Sequence, residues 1–332
     1  MMRLIPIAAA FCVLSTPVWA GDGGAKSTAK SSTKSTENRY SEWRREGRRL
    51  AFIADHDHDG DSRVSSIEFE QSRRDRFDVT DTNGDGVVSE EEYVFEWEDR
   101  MDAQLEMDRR SRVQQAEVRF GSMDRSDNEV MEWAEYEGSG DRMFTRRDTN
   151  EDLVVDASDP APSYNYTPKA ESEMTAEEKQ KRRDRLMSWS RSMLEMPTTH
   201  NLEGMMVKYD LNGDERIERA EFDGKRRADF DATDFDHDGV LSLDEYVGEF
   251  EDRMDTVIEE FRVASVRQSR RRYQSLDDDG DGAMTFAEYR ESGNRIFARY
   301  DVSQDGYVNL DDPMPRPFGE TTEDPQVAAN TE

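Results

Sequence analysis

The stretch that decides the reading is DTNGDGVVSEEE, from Asp81 to Glu92. Asp81, Asn83 and Asp85 stand at alternate positions, Gly86 follows, and Glu92 closes the run at the twelfth. A hard divalent cation takes six to eight oxygens. Side chains at positions 1, 3 and 5 turn inward as the backbone wraps an ion, and Gly86 allows the positive φ of the sharp turn. The main-chain carbonyl of Val87 supplies another oxygen, and Glu92 is long enough to reach back and bind through both of its own. Val88 is apolar, as a short strand between neighbouring loops needs.

Working outward, the pattern recurs seven times. DFDHDGVLSLDE offers Asp234, Asp236, Asp238, the carbonyl of Val240 and Glu245. DDDGDGAMTFAE offers Asp277, Asp279, Asp281, the carbonyl of Ala283 and Glu288. Five copies depart by degrees. One has Asp57, Asp59, Asp61, the carbonyl of Arg63 and Glu68, with Ser62 at the turn. Another has Asp210, Asn212, Asp214, the carbonyl of Arg216 and Glu221, with Glu215 at the turn. A non-glycine residue there costs about 1–2 kcal/mol, which weakens a site without abolishing it. Asp301, Ser303, Asp305, the carbonyl of Tyr307 and Asp312 form a loop that ends in Asp, as do Asp148, Asn150, Asp152 and Asp159. The shorter Asp reaches less well, so these two are expected to hold calcium loosely or to favour magnesium. Asp124, Ser126, Asn128 and Glu135 make the poorest copy, with Glu129 at the turn.

The loops fall into two blocks, 39–160 and 186–313. Shifting the first by 153 positions carries Asp57, Asp81, Asp124 and Asp148 onto Asp210, Asp234, Asp277 and Asp301. It also carries Glu98-Asp99-Arg100-Met101-Asp102 onto Glu251-Asp252-Arg253-Met254-Asp255. A tandem duplication explains this. Apolar residues stand four positions before each loop (Ile53, Phe77, Phe120, Phe144, Met206, Phe230, Tyr273, Phe297). Others follow each loop that ends in Glu (Phe69, Tyr93, Tyr136, Phe222, Tyr246, Tyr289). These are the expected inward anchors of entering and leaving helices. Pro160 and Pro313 follow the Asp-ending loops, so leaving helices are expected to be missing there. The 93–120 segment lacks Gly and Pro and has helical apolar spacing, as one long helix or two with a bend.

The net charge of −31, from 76 acids against 45 bases, argues against nucleic acid and favours cations or a basic protein or peptide. Removing the acids at ligand positions leaves acids and bases nearly equal, whereas a disordered acidic tail would carry its charge elsewhere. Residues 1–20 read as a secretory signal, with Arg3, a mostly apolar run from Leu4 to Val18, and Val18-Trp19-Ala20 at its end. The run is short for a membrane anchor and is broken by Pro6 and Pro17. The one cysteine, Cys12, lies inside it, so the mature chain is expected to be periplasmic or secreted and free of thiol chemistry. Residues 21–38 read as a flexible tether, 161–185 as a linker and 314–332 as a flexible tail.

The loops resemble those of the EF-hand superfamily, which includes calmodulin and exported bacterial EF-hand repeat proteins. The resemblance implies helix–loop–helix folding and calcium as the ion. The expected fold is all-α, in two tandem four-loop domains with short β bridges between loops. One departure matters: loop starts within a pair lie 24 residues apart, as at Asp57 and Asp81. Only twelve residues join the two loops, so one helix of about 18 Å must serve both. The second loop of a block is therefore expected to pair with the third and the first with the fourth, which requires the 93–120 segment to bend.

Weaker signals weigh less. His56, His58, His200 and His237 show no zinc spacing, and the arginine clusters read as solvated helix faces. Lys179 to Met196 looks like a basic amphipathic helix, a target type for calcium sensors, but packing on its own domain explains it better. No stretch outside the loops has room for a catalytic domain. The sequence thus points to a non-enzymatic calcium binder that buffers the ion or is held folded by it. The alternative is a sensor that exposes apolar helix faces to a partner.

Overall fold

The computed structural model describes residues 33–160, 169–196, 198–199 and 201–315. The expected signal, His200 and most of the expected tail lie outside them. The chain forms nine α-helices among the described residues: α1 Thr33–His56, α2 Ser66–Thr80, α3 Glu90–Met123, α4 Trp133–Arg147, α5 Ala176–Arg191, α6 Leu202–Tyr209, α7 Arg219–Thr233, α8 Leu243–Leu276 and α9 Phe286–Tyr300. Each ion loop carries a two- or three-residue strand: β1 Val64–Ser65, β2 Val87–Val88, β3 Val130–Glu132, β4 Val154–Val155, β5 Ile217–Glu218, β6 Val240–Ser242, β7 Met284–Thr285 and β8 Tyr307–Val308. Under the 153-residue shift, α2, α3 and α4 coincide end for end with α7, α8 and α9.

The duplication breaks down at the entry to each block. The first enters on α1, which begins at Thr33, inside the stretch expected to be a tether. The second enters on two helices, α5 ending at Arg191 and α6 beginning at Leu202. Helix α5 also covers 176–185 of the expected linker, so the boundary at 185/186 falls within a helix.

The strand pairing corrects the expected topology. All four bridges are antiparallel, and every one joins the first block to the second: β1 with β8, β2 with β7, β3 with β6 and β4 with β5. Val64 faces Val308, Val88 faces Met284, Met131 faces Leu241 and Val155 faces Ile217. The expected rule of first with fourth and second with third holds for loop type, but the partner comes from the other copy. No bend is needed, because α3 and α8 each run unbroken for 34 residues.

Two compact units result, and neither is a sequence block. Among the described residues, the first takes the chain up to Glu96, Met174–Arg191 and the chain from Ser269. The second takes Trp97–Glu173 and Ser192–Gln268. Each unit therefore holds two loops from each block.

Within each unit, small cores sit behind the bridges. In the first, Phe77, Val88, Tyr93, Tyr273, Met284 and Tyr289 cluster behind one bridge. Phe52, Ile53, Val64, Phe69, Tyr300 and Val308 cluster behind the other. In the second, Phe144, Val155, Met205, Tyr209, Ile217 and Phe222 form one core, and Phe120, Met131, Tyr136, Phe230 and Leu241 form another. The anchors read from the sequence lie in or against these cores. With 34% hydrophobic residues, the chain builds several small cores rather than one large one.

An arginine reinforces each unit, half-buried in the first and buried in the second. In the first, the Arg73 guanidinium donates to the Tyr289 carbonyl and to Ser292 Oγ, and lies 3.4 Å from the Tyr289 ring centroid. In the second, Arg226 donates to the Tyr136 carbonyl and to Ser139 Oγ, and lies 3.7 Å from the Tyr136 ring. The shift carries each residue of one set onto its counterpart in the other. Gly293 and Gly140 make room: a Cβ on either would lie within 2.9 Å of the arginine Nε.

Helix α5 packs on α1. Arg182 grips Glu46 with two hydrogen bonds of 2.6 and 2.7 Å, Arg191 pairs with Asp55, and Trp43 meets Trp189 edge-on. Gly47 lets the helices approach, since a Cβ there would meet the Leu186 carbonyl. The basic amphipathic segment is thus covered by its own chain. In the second unit, Asp108 Oδ2 accepts from the amides of Met193 and Leu194 and holds that segment on α3.

Candidate metal centres

Each loop begins as the cap of a helix. The first residue's amide donates to the carbonyl four residues back, as Asp81 does to Phe77 at 2.9 Å. Its carboxylate then turns into the loop and accepts the amide at the sixth position. This bond is present in all eight loops, at 2.9–3.1 Å. The fifth residue's side-chain oxygen accepts the amide at the seventh, again in all eight, at 2.8–3.2 Å. Such bonds fix which way the oxygens face before any ion arrives.

The twelfth residue folds back in every copy. One oxygen of Glu68, Glu92, Glu135, Asp159, Glu221, Glu245 or Glu288 accepts the amide at position 2 of its loop, and one of Asp312 accepts the amide of Ser303 at position 3; these bonds span 2.7–3.2 Å. The second oxygen of Glu92 accepts from the amide and hydroxyl of Ser89. Ser65, Ser242 and Thr285 hold Glu68, Glu245 and Glu288 in the same way. This reciprocal cap is legible in the sequence as Ser/Thr-x-x-Glu, a signal the ligand pattern alone passes over. Asp159 and Asp312 also reach their ninth positions, at Asp156 and Asn309.

The caps set the electrostatics. Burial would raise the Glu92 carboxyl, but hydrogen bonds from Ser89, Thr82 and Asn83 outweigh it and hold the group at about 2. Glu68 is lowered chiefly by the Ser65 amide, and Glu288 by the Thr285 amide. For Glu135 and Glu245, burial opposes the shift but backbone donors prevail. These five carboxylates are therefore charged and already placed at neutral pH.

Backbone conformation identifies two demanding positions where the sequence reading marked one. Among the described residues, eight glycines and eight other residues have positive φ, and all lie at the fourth or sixth position of a loop. At the sixth stand Ser62, Gly86, Glu129, Leu153, Glu215, Gly239, Gly282 and Gly306; at the fourth, Gly60, Gly84, Asp127, Glu151, Gly213, His237, Gly280 and Gln304. Only the loops starting at Asp81 and Asp277 have glycine at both. These two face each other through β2 and β7.

The donor chemistry fits a hard cation. Oxygens of Asp57, Asp59 and Asp61 converge within 4.8 Å of one another, as do those of Asp234, Asp236 and Glu245, and of Asp277, Asp279 and Asp281. Among the described residues these sets contain carboxylates and no nitrogen or sulfur, the donor type calcium and magnesium take. In the poorest loop, Ser126 Oγ lies 3.3 Å from Asp124 Oδ1, and Asn128 and Glu135 make the same internal bonds as their counterparts. The imidazoles of His56 and His58 have partners other than the candidate ligands. His56 packs between Phe52 and Phe69, and His58 Nε2 meets Ser72 Oγ at 2.7 Å.

A family model described as an EF hand matches residues 74–94, which comprise the end of α2, the loop from Asp81 to Glu92, and the start of α3. No curated protein and no solved structure matches the chain. The stretch from α2 through the Asp81 loop into α3 is thus similar to an EF hand, the helix–loop–helix motif of the calcium-binding superfamily of that name.

Proposed function

We propose that the chain is an exported calcium-binding protein, a buffer or a calcium-stabilised structural element, with no catalytic activity of its own. The observation that carries this reading is the uniformity of the eight loops. Each holds its first and fifth side chains through the same hydrogen bonds and folds its twelfth back onto the amide of the second or third residue, including the five loops with imperfect sequences. Export rests on the reading of residues 1–20 as a signal. No helix among the described residues is long and apolar enough to cross a membrane.

The ranking of sites changes with the pairing. Two of the three loops that match the ligand pattern in full, those starting at Asp234 and Asp277, lie in the second block. The paired structure instead favours the bridge between the Asp81 and Asp277 loops, where both turns are strain-free. The bridge between the Asp148 and Asp210 loops ranks low, because Leu153 and Glu215 both hold positive φ at about 1–2 kcal/mol each. Loops ending in Asp159 and Asp312 are assigned weaker calcium binding or magnesium.

The sensor alternative finds its one candidate target segment already engaged, since α5 lies on α1. Calorimetric titration with calcium, alone and against magnesium, tests the main reading. Glu92→Gln and Glu245→Gln should each remove one strong site. Unchanged stoichiometry in both variants would overturn the ligand assignment. A large rise in apolar-dye binding on adding calcium would favour the sensor.

A further inference from the structure

The two blocks meet as copies of one another would in a symmetric dimer. The bridge of Val64 with Val308 becomes, under the shift, that of Ile217 with Val155; the bridge of Val88 with Met284 becomes that of Leu241 with Met131. The Arg73 clamp on Tyr289 becomes the Arg226 clamp on Tyr136. Among the described residues, every loop bridge and both clamps cross from one block to the other, and none closes within a block. Val64, Val88, Met131, Val155, Ile217, Leu241, Met284 and Val308 are sealed at 0–1% exposure, and each is covered through a partner in the other copy. A block by itself would leave its four strands without partners and half of each core open. Its surface is therefore self-complementary, as in a two-fold interface where one patch meets its own copy.

We propose that each block is a complete docking surface for the other, and that a second copy of this chain can supply it. Two chains then exchange blocks and close as a dimer with the native bridges. The tether between blocks makes the intramolecular closure faster in dilute solution, and concentration sets the balance. A short covalent connection between two docking surfaces corresponds to an effective concentration of about the millimolar range. Exchange should therefore be slight at about 10 μM and rise about tenfold at about 100 μM.

The test uses the full chain with Cys12→Ser. One preparation carries Val87→Cys and the other Thr285→Cys, positions that face each other across β2 and β7. The two are unfolded together in urea, refolded with calcium and oxidised. The expected result is an interchain disulfide whose yield rises about tenfold over that concentration range. The off-register pair of Val87→Cys with Val240→Cys should stay at background. Interchain yield no higher than the off-register control at either concentration overturns the proposal.

A second measurement does not depend on the cysteine variants folding. A protease site placed within 161–168 of the full chain is cut after folding. The two halves should elute together at the mass of the intact chain. Separation of the halves at about 10 μM would count against the proposal, because the blocks would then need their covalent connection to recognise each other.

Discussion

Val88 and Met284 face one another across an antiparallel bridge, and both are sealed from solvent. The ion loops around them are the two whose turns are glycine at both demanding positions. One side chain thus supports two sites far apart in the sequence. Met284→Ala should cost about 2–5 kcal/mol and weaken calcium binding at both the Asp81 and Asp277 loops. Chelator competition in this variant, set against Glu92→Gln and Glu288→Gln backgrounds, reads the two sites separately. An effect confined to the Asp277 loop would contradict the coupling.

Arg73 and Gly293 form a matched pair. Arg73→Ala removes two charge-assisted hydrogen bonds and a cation–π contact, at a cost of roughly 2–4 kcal/mol. Gly293→Ala should also destabilise, because its Cβ would lie 2.9 Å from the Arg73 Nε. In the double variant the clash has no second partner, so its cost should fall well short of the sum. Urea unfolding of the four chains gives the coupling, and strict additivity would argue against the close approach.

Ser66 and Arg219 occupy the same place in the two copies and behave differently. Arg219 is held by Asp141 and Asp223 and lies over Phe144. At Ser66 a cavity of about 140 Å³ remains, lined by Phe69, Glu70, Arg73, Gly293, Asn294 and Phe297, among others. Ser66→Arg combined with Asn294→Asp should rebuild the filled arrangement and stabilise the chain by about 0.5–2 kcal/mol. A lower melting temperature in this double variant would show that the two places are not equivalent.

The Glu92 carboxyl, held at about 2, sets an acid limit for the metal-free chain. A carboxylate held below its unfolded value of about 4.3 stabilises the fold above that value and loses the contribution as pH falls through its folded value. Between about pH 4.5 and 2, stability should therefore fall less steeply in Glu92→Gln than in the parent chain. Denaturant titrations in chelator across that range provide the check, and equal slopes would contradict it.

Much of the site was legible because its chemistry is local. Twelve consecutive residues carry each ligand set, and the anchors Phe77 and Tyr93 sit at fixed offsets from one of them. The fourth-position turn was overlooked because only four of eight copies advertise it, at Gly60, Gly84, Gly213 and Gly280; Glu151 and His237 adopt the same conformation without the glycine signal. The pairing was legible only to within the duplication. Val155 and Val308 are equivalent under the shift, so the pattern that makes either a partner for Val64 cannot choose between them. The continuous helix of 34 residues from Glu90 to Met123 rules out the local choice. Composition did not reveal that continuity, since an unbroken apolar period suits a straight helix and a bent pair equally well.

The order of the bridges also bears on how the chain folds. β4 with β5, β3 with β6, β2 with β7 and β1 with β8 are nested, like successive rungs of a hairpin whose tip is the connection between blocks. The innermost rung, Val155 with Ile217, closes the shortest stretch of chain, and each rung formed shortens the loop that the next must close. Loop closure costs grow with length, so assembly should start at that tip and zip outward, with the ends near Val64 and Val308 joining last. Pulsed hydrogen exchange during refolding would show the β4–β5 amides protected before those of β1 and β8, and on unfolding the same ends would be the first to open.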